Sequence, residues 1–155
     1  MATKTPALAA VARAGVPHRV YEYAHDPAAA SYGLEAAEQL GVDPARVFKT
    51  LVAEVDGKPL VAIVPAEAEL DLRSLGKRAA MAKPADAERI TGYVAGGISP
   101  LAQRRRLPTL LDESALAFET VFVSAGRRGL EVELAPADLL ALTGGETRRV
   151  ATTRG

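Results

Sequence analysis

No cysteine occurs anywhere in this chain, which removes disulfides, thiolate metal sites and a cysteine nucleophile at one stroke. Histidine is nearly as scarce: His18 and His25 are the only two, too few for a histidine-rich metal centre, so no metal is expected. No run of about 18 apolar residues appears, and a membrane-spanning helix is not expected. Charge of one sign is missing too, since 19 basic and 19 acidic residues balance to zero. Without a global field any nucleic-acid contact must be local, and DNA is not an expected partner. The candidate contacts are Arg104-Arg105-Arg106, Arg127-Arg128 and Arg148-Arg149, although short arginine runs are more often solvated surface than phosphate sites. There is no Walker loop, no Rossmann glycine fingerprint and no Gly-x-Ser-x-Gly elbow, and no cofactor is expected.

What is present suits one domain over residues 1–155: hydrophobic residues make up 48% and charged residues 25%, enough for a sizeable core under a soluble surface. No repeat or linker interrupts the chain. Its start, Met1-Ala2-Thr3-Lys4-Thr5-Pro6, leads into an alanine-rich amphipathic stretch rather than a signal-peptide core, so the expected compartment is the cytoplasm.

Thr5-Pro6 predicts a helix start, with Leu8, Val11 and Ala12 on it and a stop at Gly15. His18 to Tyr23 reads as a strand and Tyr32 to Leu40 as a second helix ending at Gly41. Phe48 to Val55 and Leu60 to Val64 form strands of a hairpin across Asp56-Gly57-Lys58. Asp71 caps a short helix, and Pro84 and Pro136 open two more. Strands are expected at Thr109 to Leu111, Thr120 to Ser124, Leu130 to Leu134 and Thr147 to Ala151. Hairpins outnumber strand-helix-strand units, which favours α+β with a mixed or mainly antiparallel sheet.

Three places carry candidate chemistry. Gly96-Gly97-Ile98-Ser99-Pro100 combines backbone freedom with a fixed exit, so it can aim N–H donors at an oxygen anion, though glycine pairs also serve plain turns. Lys49 shares a strand face with Leu51, Ala53 and Val55, where an ammonium is costly unless it meets partners or a wet cleft; snorkelling to solvent is the equal alternative. Ser124 ends a strand beside Ala125-Gly126-Arg127-Arg128-Gly129, where its hydroxyl points to a cleft rim or merely serves the turn. His25-Asp26-Pro27 is read as a turn rather than an acid–base pair, and Tyr23 and Tyr32 flank it as candidate pocket walls.

Taken in order, Thr5-Pro6-Ala7, Tyr23 with His25-Asp26-Pro27, Gly33 with Glu35-Ala36-Ala37, Leu40-Gly41 and Phe48-Lys49-Thr50-Leu51 resemble the YbaK/EbsC family of aminoacyl-tRNA deacylases. Met81-Ala82, Thr91-Gly92-Tyr93, Gly96 through Pro100 and Ser124 through Gly129 continue the match over about residues 5 to 142. That family is similar to the editing domain inserted in bacterial prolyl-tRNA synthetases.

The resemblance implies a compact α+β fold with a partly closed, mainly antiparallel sheet surrounded by helices. It implies hydrolysis of the ester that joins a wrong amino acid to the tRNA 3′ end, most typically cysteine on proline tRNA, with the substrate's own thiol as nucleophile. The essential lysine falls on Lys49, the backbone donors on Gly96 and Gly97, and the strand-end hydroxyl on Ser124. Tyr23, Tyr32, Thr50, Ile98, Gly126 and Arg127 are implied as substrate-binding. The implied partner is the misacylated tRNA 3′ end, with prolyl-tRNA synthetase as a candidate. Alternatives are water-driven removal of alanine, serine or threonine, or a non-catalytic tRNA- or synthetase-binding module. Leu72 to Met81 is shorter than usual in the family, Ala125 and Ala102 replace common glycines, and Arg127 replaces a frequent lysine.

Overall fold

The computed structural model describes residues 4–29 and 31–152; Met1 to Thr3 of the expected leader-free start lie outside them. Among the described residues, four α-helices are built on the expected punctuation. In α1 (Pro6–Ala14) the Thr5 side chain accepts from the Leu8 N–H, and Gly15 closes the helix at φ 70°. Ser31 caps α2 (Tyr32–Leu40) in the same way, and Gly41 ends it at φ 67°. Prolines in the first turn open α3 (Pro84–Thr91) and α4 (Pro136–Thr143) without a side-chain cap.

The strands are β1 (His18–Glu22), β2 (Phe48–Val55), β3 (Lys58–Pro65), β4 (Glu69–Leu70), β5 (Ala79–Met81), β6 (Thr109–Asp112), β7 (Val121–Arg127), β8 (Leu130–Leu134), β9 (Glu146–Arg148) and β10 (Ala151–Thr152). They form three sheets, ordered β1-β8-β7, β5-β2-β3-β6-β9 and β10-β4. Pairing is antiparallel except β3 with β6 and β6 with β9. This is the α+β, mainly antiparallel architecture expected. The sheets stay open, and a single parallel bridge between Val47 and Phe122 joins the two larger ones.

Three details escape a reading of periodicity. The expected Thr147–Ala151 strand is two short ones in different sheets, because Asp112 accepts the Val150 and Ala151 N–H groups at 2.9 and 2.8 Å and turns the chain between them. The Asp71 segment is a single 3₁₀ turn over Leu72–Ser74. Short β4 and β5 are too brief to show an alternation.

The main core gathers Val52, Ile63, Leu111, Val123, Val132 and Leu139 between the two large sheets and the helices. A second cluster packs Ala36 and Ala37 of α2 on Val47, Ala66 and Phe122. A third lies on the far face of the central sheet, around Val64, Leu110 and Val150.

Candidate active site

The site arises where two sheets part. One edge of β2 pairs with β3 along its whole length, but the other pairs with β5 only over Ala53–Val55. Beyond the Val47–Phe122 bridge, Phe48 to Leu51 border a cavity of about 370 Å³ whose opposite wall is Ser124 of β7 and Glu131 of β8. Tyr23, Tyr32 and the Gly96–Ile98 loop complete it. Helix α2 comes close enough to help form this wall because residue 33 is glycine: a Cβ there would stand 2.6 Å from Ala66 Cβ.

Lys49 stands opposite Val64 on the face that holds Leu51, Leu60 and Leu110, the apolar side expected of it. It is half-buried and makes no hydrogen bond or ion pair with another described residue. Burial pulls its pKa below the ordinary lysine value, and the Glu69 carboxylate partly offsets that. The opposite face of β2 is no more polar, since Phe48 and Val52 enter the main core. Thr50 lies on that face, and its buried Oγ1 has no hydrogen-bond partner. A buried hydroxyl without a partner costs free energy, and this one is left open to a hydrogen bond from outside the folded chain.

The paired glycines do two jobs. Gly96 lines the cavity at φ 84°, and a Cβ on it would stand 2.7 Å from the Tyr32 ring and 2.8 Å from Arg128 Nε. Arg128 lies 5.0 Å over the Tyr32 ring and donates from Nε to Ala95 O at 2.9 Å, so ring, guanidinium and loop form one strap at the rim. Gly97 differs from its expected role as an oxyanion donor. Its N–H already donates to Val94 O at 2.9 Å, and it does not line the cavity. It is glycine because a Cβ would stand 2.7 Å from Arg127 Cα.

Gly126 and Arg127 also fall away from the cavity. The ladder slips between Ser124 and Arg127, and Gly126, at φ 113°, faces Tyr93 and Thr5. Arg127 turns to Glu22 at 2.9 Å. Ser124 stays, its Oγ accepting the Gly126 N–H at 3.2 Å while its own hydrogen is left to donate. Thus Lys49, Thr50, Tyr23, Tyr32, Gly96, Ile98 and Ser124 share one cavity.

His25-Asp26-Pro27 is a fixed turn. His25 Nδ1 lies 2.8 Å from Glu35 Oε1, and Glu35 Oε2 accepts the Asp26 N–H at 2.7 Å. Burial raises the Glu35 pKa, but these two donors outweigh it and hold the carboxyl below its ordinary value. The pair ties the loop to α2 and sets Tyr32, whose ring lies 5.4 Å from the imidazole.

Glu131 was not anticipated. It is 7% exposed, faces Ser124 across the β7–β8 ladder and has no hydrogen-bond or ion-pair partner among the described residues. Burial pushes its carboxyl up to about 8. Burial also raises the Tyr23 hydroxyl, reinforced by the Glu131 and Glu35 charges. The alternation Leu130-Glu131-Val132-Glu133-Leu134 does put both acids on one face, but only the strand order β1-β8-β7 tells which face meets the cavity.

Comparison with known proteins agrees with this geometry. A family model for the aminoacyl-tRNA editing domain matches residues 26–142. A protein of Enterococcus faecalis named EbsC, a proposed Cys-tRNA(Pro)/Cys-tRNA(Cys) deacylase, is 40% identical over 96% of this chain and 94% of its own. A proline–tRNA ligase of Acidithiobacillus ferrooxidans is 33% identical over 53% of this chain and 15% of its own length. Among solved structures, a proposed trans-editing enzyme for prolyl-tRNA synthetase superposes with a TM-score of 0.82 at 26% identity, covering 97% of this chain and 99% of that one.

Proposed function

Because this chain belongs to the aminoacyl-tRNA editing domain family, we propose that it is an aminoacyl-tRNA deacylase acting in trans, with cysteine on proline tRNA as its preferred substrate. The observation that carries the reading is the cavity itself. A half-buried ammonium without an ion-pair partner among the described residues, a buried hydroxyl with no hydrogen-bond partner there and a strand-end hydroxyl whose hydrogen is left to donate converge in it. The whole chain is proposed to act as one editing domain in the cytoplasm, with prolyl-tRNA synthetase as a partner that presents the tRNA.

The chemistry asks little of the protein. The substrate thiol, once deprotonated, attacks its own ester carbonyl; the new C–S bond forms, the ester C–O bond breaks, and the tRNA 3′ hydroxyl leaves with a proton. Such an intramolecular attack, held in place, carries an effective molarity of about 10⁵ M or more, so holding the ester still is most of the catalysis. Lys49 places positive charge beside the ester or the terminal phosphate, and burial strengthens that interaction. Thr50 Oγ1 and the Ser124 hydroxyl are the polar contacts for the aminoacyl end. Tyr23, Tyr32 and Ile98 supply the walls.

The test is a panel of proline and cysteine tRNAs charged with cysteine, alanine, serine or threonine. Cysteinyl-tRNA(Pro) is expected to be cleaved fastest, and Lys49→Ala to lower kcat/KM by about 100-fold or more with the melting temperature unchanged. Full activity in Lys49→Ala removes its role. Cleavage that persists when the thiol is replaced by methyl assigns the attack to water. Binding of tRNA without cleavage of any ester overturns the enzymatic reading.

A further inference from the structure

Glu131 has no part in the mechanism above, yet it is the one acidic side chain lining the cavity among the described residues. Its backbone is paired to Ser124 on one side and to Tyr21 on the other, so strand pairing fixes where the carboxyl points. Its neighbour two residues along, Glu133, is fully engaged by Tyr21, Thr120 and Arg46. Glu131 has none of these donors. The cation in the same cavity, Lys49, feels the charge of Glu69 instead.

A buried carboxyl with no cation is a costly group, and the cost falls when a ligand brings the cation. On an aminoacyl-tRNA 3′ end, the ester and phosphate oxygens repel a carboxylate, and a ribose hydroxyl offers it a hydrogen bond but no compensating charge. The α-ammonium of the amino acid is the exception. Resting on the deacylase reading above, we propose that Glu131 binds this α-ammonium and so confines cleavage to esters with a free amine, sparing tRNAs whose amino acid is N-acylated. The site is thereby selective for the position of the amine as well as for the side chain beside it.

The titratable groups around Glu131 are Tyr21 on β1, Tyr23 just beyond its end, Lys49 on β2, and Tyr32 and Glu35 on α2. Tyr21 is held by Glu133, Glu35 is held by His25 and the Asp26 N–H, and burial keeps Tyr23 protonated. Glu131 itself, with its carboxyl pushed up to about 8, carries a proton in the free cavity at neutral pH. Pairing with an ammonium ligand releases that proton; a neutral amine accepts it directly. Either way the bound state is carboxylate and ammonium.

The experiment compares cysteinyl-tRNA(Pro) with the same tRNA carrying 3-mercaptopropionate, which keeps the thiol and lacks the amine. Wild-type protein is expected to lose about 10- to 100-fold in kcat/KM on removing the amine, expressed mainly in KM. Glu131→Gln is expected to raise KM for cysteinyl-tRNA(Pro) to that same level and to treat 3-mercaptopropionyl-tRNA(Pro) as wild type does. A Glu131→Asp variant, which keeps the charge, is expected to recover part of the preference. Non-hydrolysable 3′-cysteinylamido-adenosine, titrated in buffers of different ionisation enthalpy at pH 7, should release close to one proton from the wild type and none from Glu131→Gln. Equal KM for the two esters in wild type overturns the proposal, as does an equal fall in kcat for both in Glu131→Gln, which assigns the carboxyl to proton transfer. If the wild type cleaves neither ester, the deacylase reading falls, whereas intact cleavage without amine discrimination removes Glu131 alone.

Discussion

Glu131 and Glu133 lie two residues apart on one face of β8 and have opposite fates. Glu133 accepts from Tyr21 at 2.7 Å, Thr120 at 2.5 Å and Arg46 at 3.2 Å. Burial raises its pKa, but these donors outweigh burial and hold the carboxyl below its ordinary value. Glu131 meets no donor, and burial alone pushes it up to about 8. One strand therefore carries an acid kept charged by its neighbours and an acid kept neutral by their absence. The first welds β1, β7 and β8 together; the second waits on a ligand. A buried carboxyl that the fold leaves unsatisfied is a weakness in the resting protein, and such weaknesses concentrate at functional sites.

The comparison breaks most visibly at Glu133. Glu133→Ala strands the Arg46, Thr120 and Tyr21 donors and is expected to cost about 2–3 kcal/mol, seen as a lower denaturation midpoint, with deacylation per folded molecule unchanged. A large loss of activity with unchanged stability erases the distinction between the two acids.

At Glu131 the expected sign reverses. Its folded pKa lies above the unfolded value of 4.5, so the free protein loses stability as pH rises from about 4.5 to about 8. Glu131→Gln is then expected to gain stability over wild type progressively as pH rises to 8, the gap closing towards pH 4.5. Glu133 runs the other way: its contribution is present above the ordinary carboxylate pKa and is lost as pH falls through its lowered folded value. Thermal melts of both variants across pH 4 to 9 separate the two slopes. A Glu131→Gln gap that is flat with pH contradicts a neutral buried acid.

Thr50 gives the uncharged and smallest counterpart. Thr50→Val removes an unpartnered hydroxyl at constant volume, and is expected to stabilise the free protein by about 0.5–1 kcal/mol while raising KM a few-fold. A loss of stability instead shows that the hydroxyl has a partner in the free protein.

Local chemistry was legible because it is local. Thr5 and Ser31 cap as their types predict, the prolines open α1, α3 and α4, and Asp56-Gly57 turns the β2–β3 hairpin. Lys49 was singled out for its place on an apolar strand face, a property of period-two alternation alone. What stayed hidden depends on how sheets meet. Gly97 and Gly126 look like ligand-binding glycines, yet they are small because the Arg127–Arg128 turn, Thr5 and Tyr93 press against them. Ala102 sits at φ 54°, a conformation that favours glycine, which accounts for the residue expected there. Glu131 escaped because an acid on a strand reads as solvent-facing until β1 and β7 are known to flank it.

The gap in pairing along β2 has one more consequence. An unpaired strand edge ordinarily invites another chain to add to it, but Phe48–Leu51 spans only about 13 Å and is roofed by Tyr32 and the Gly96 loop. That stretch is too short and too covered to seed aggregation, so the edge stays available to the cavity without endangering the fold.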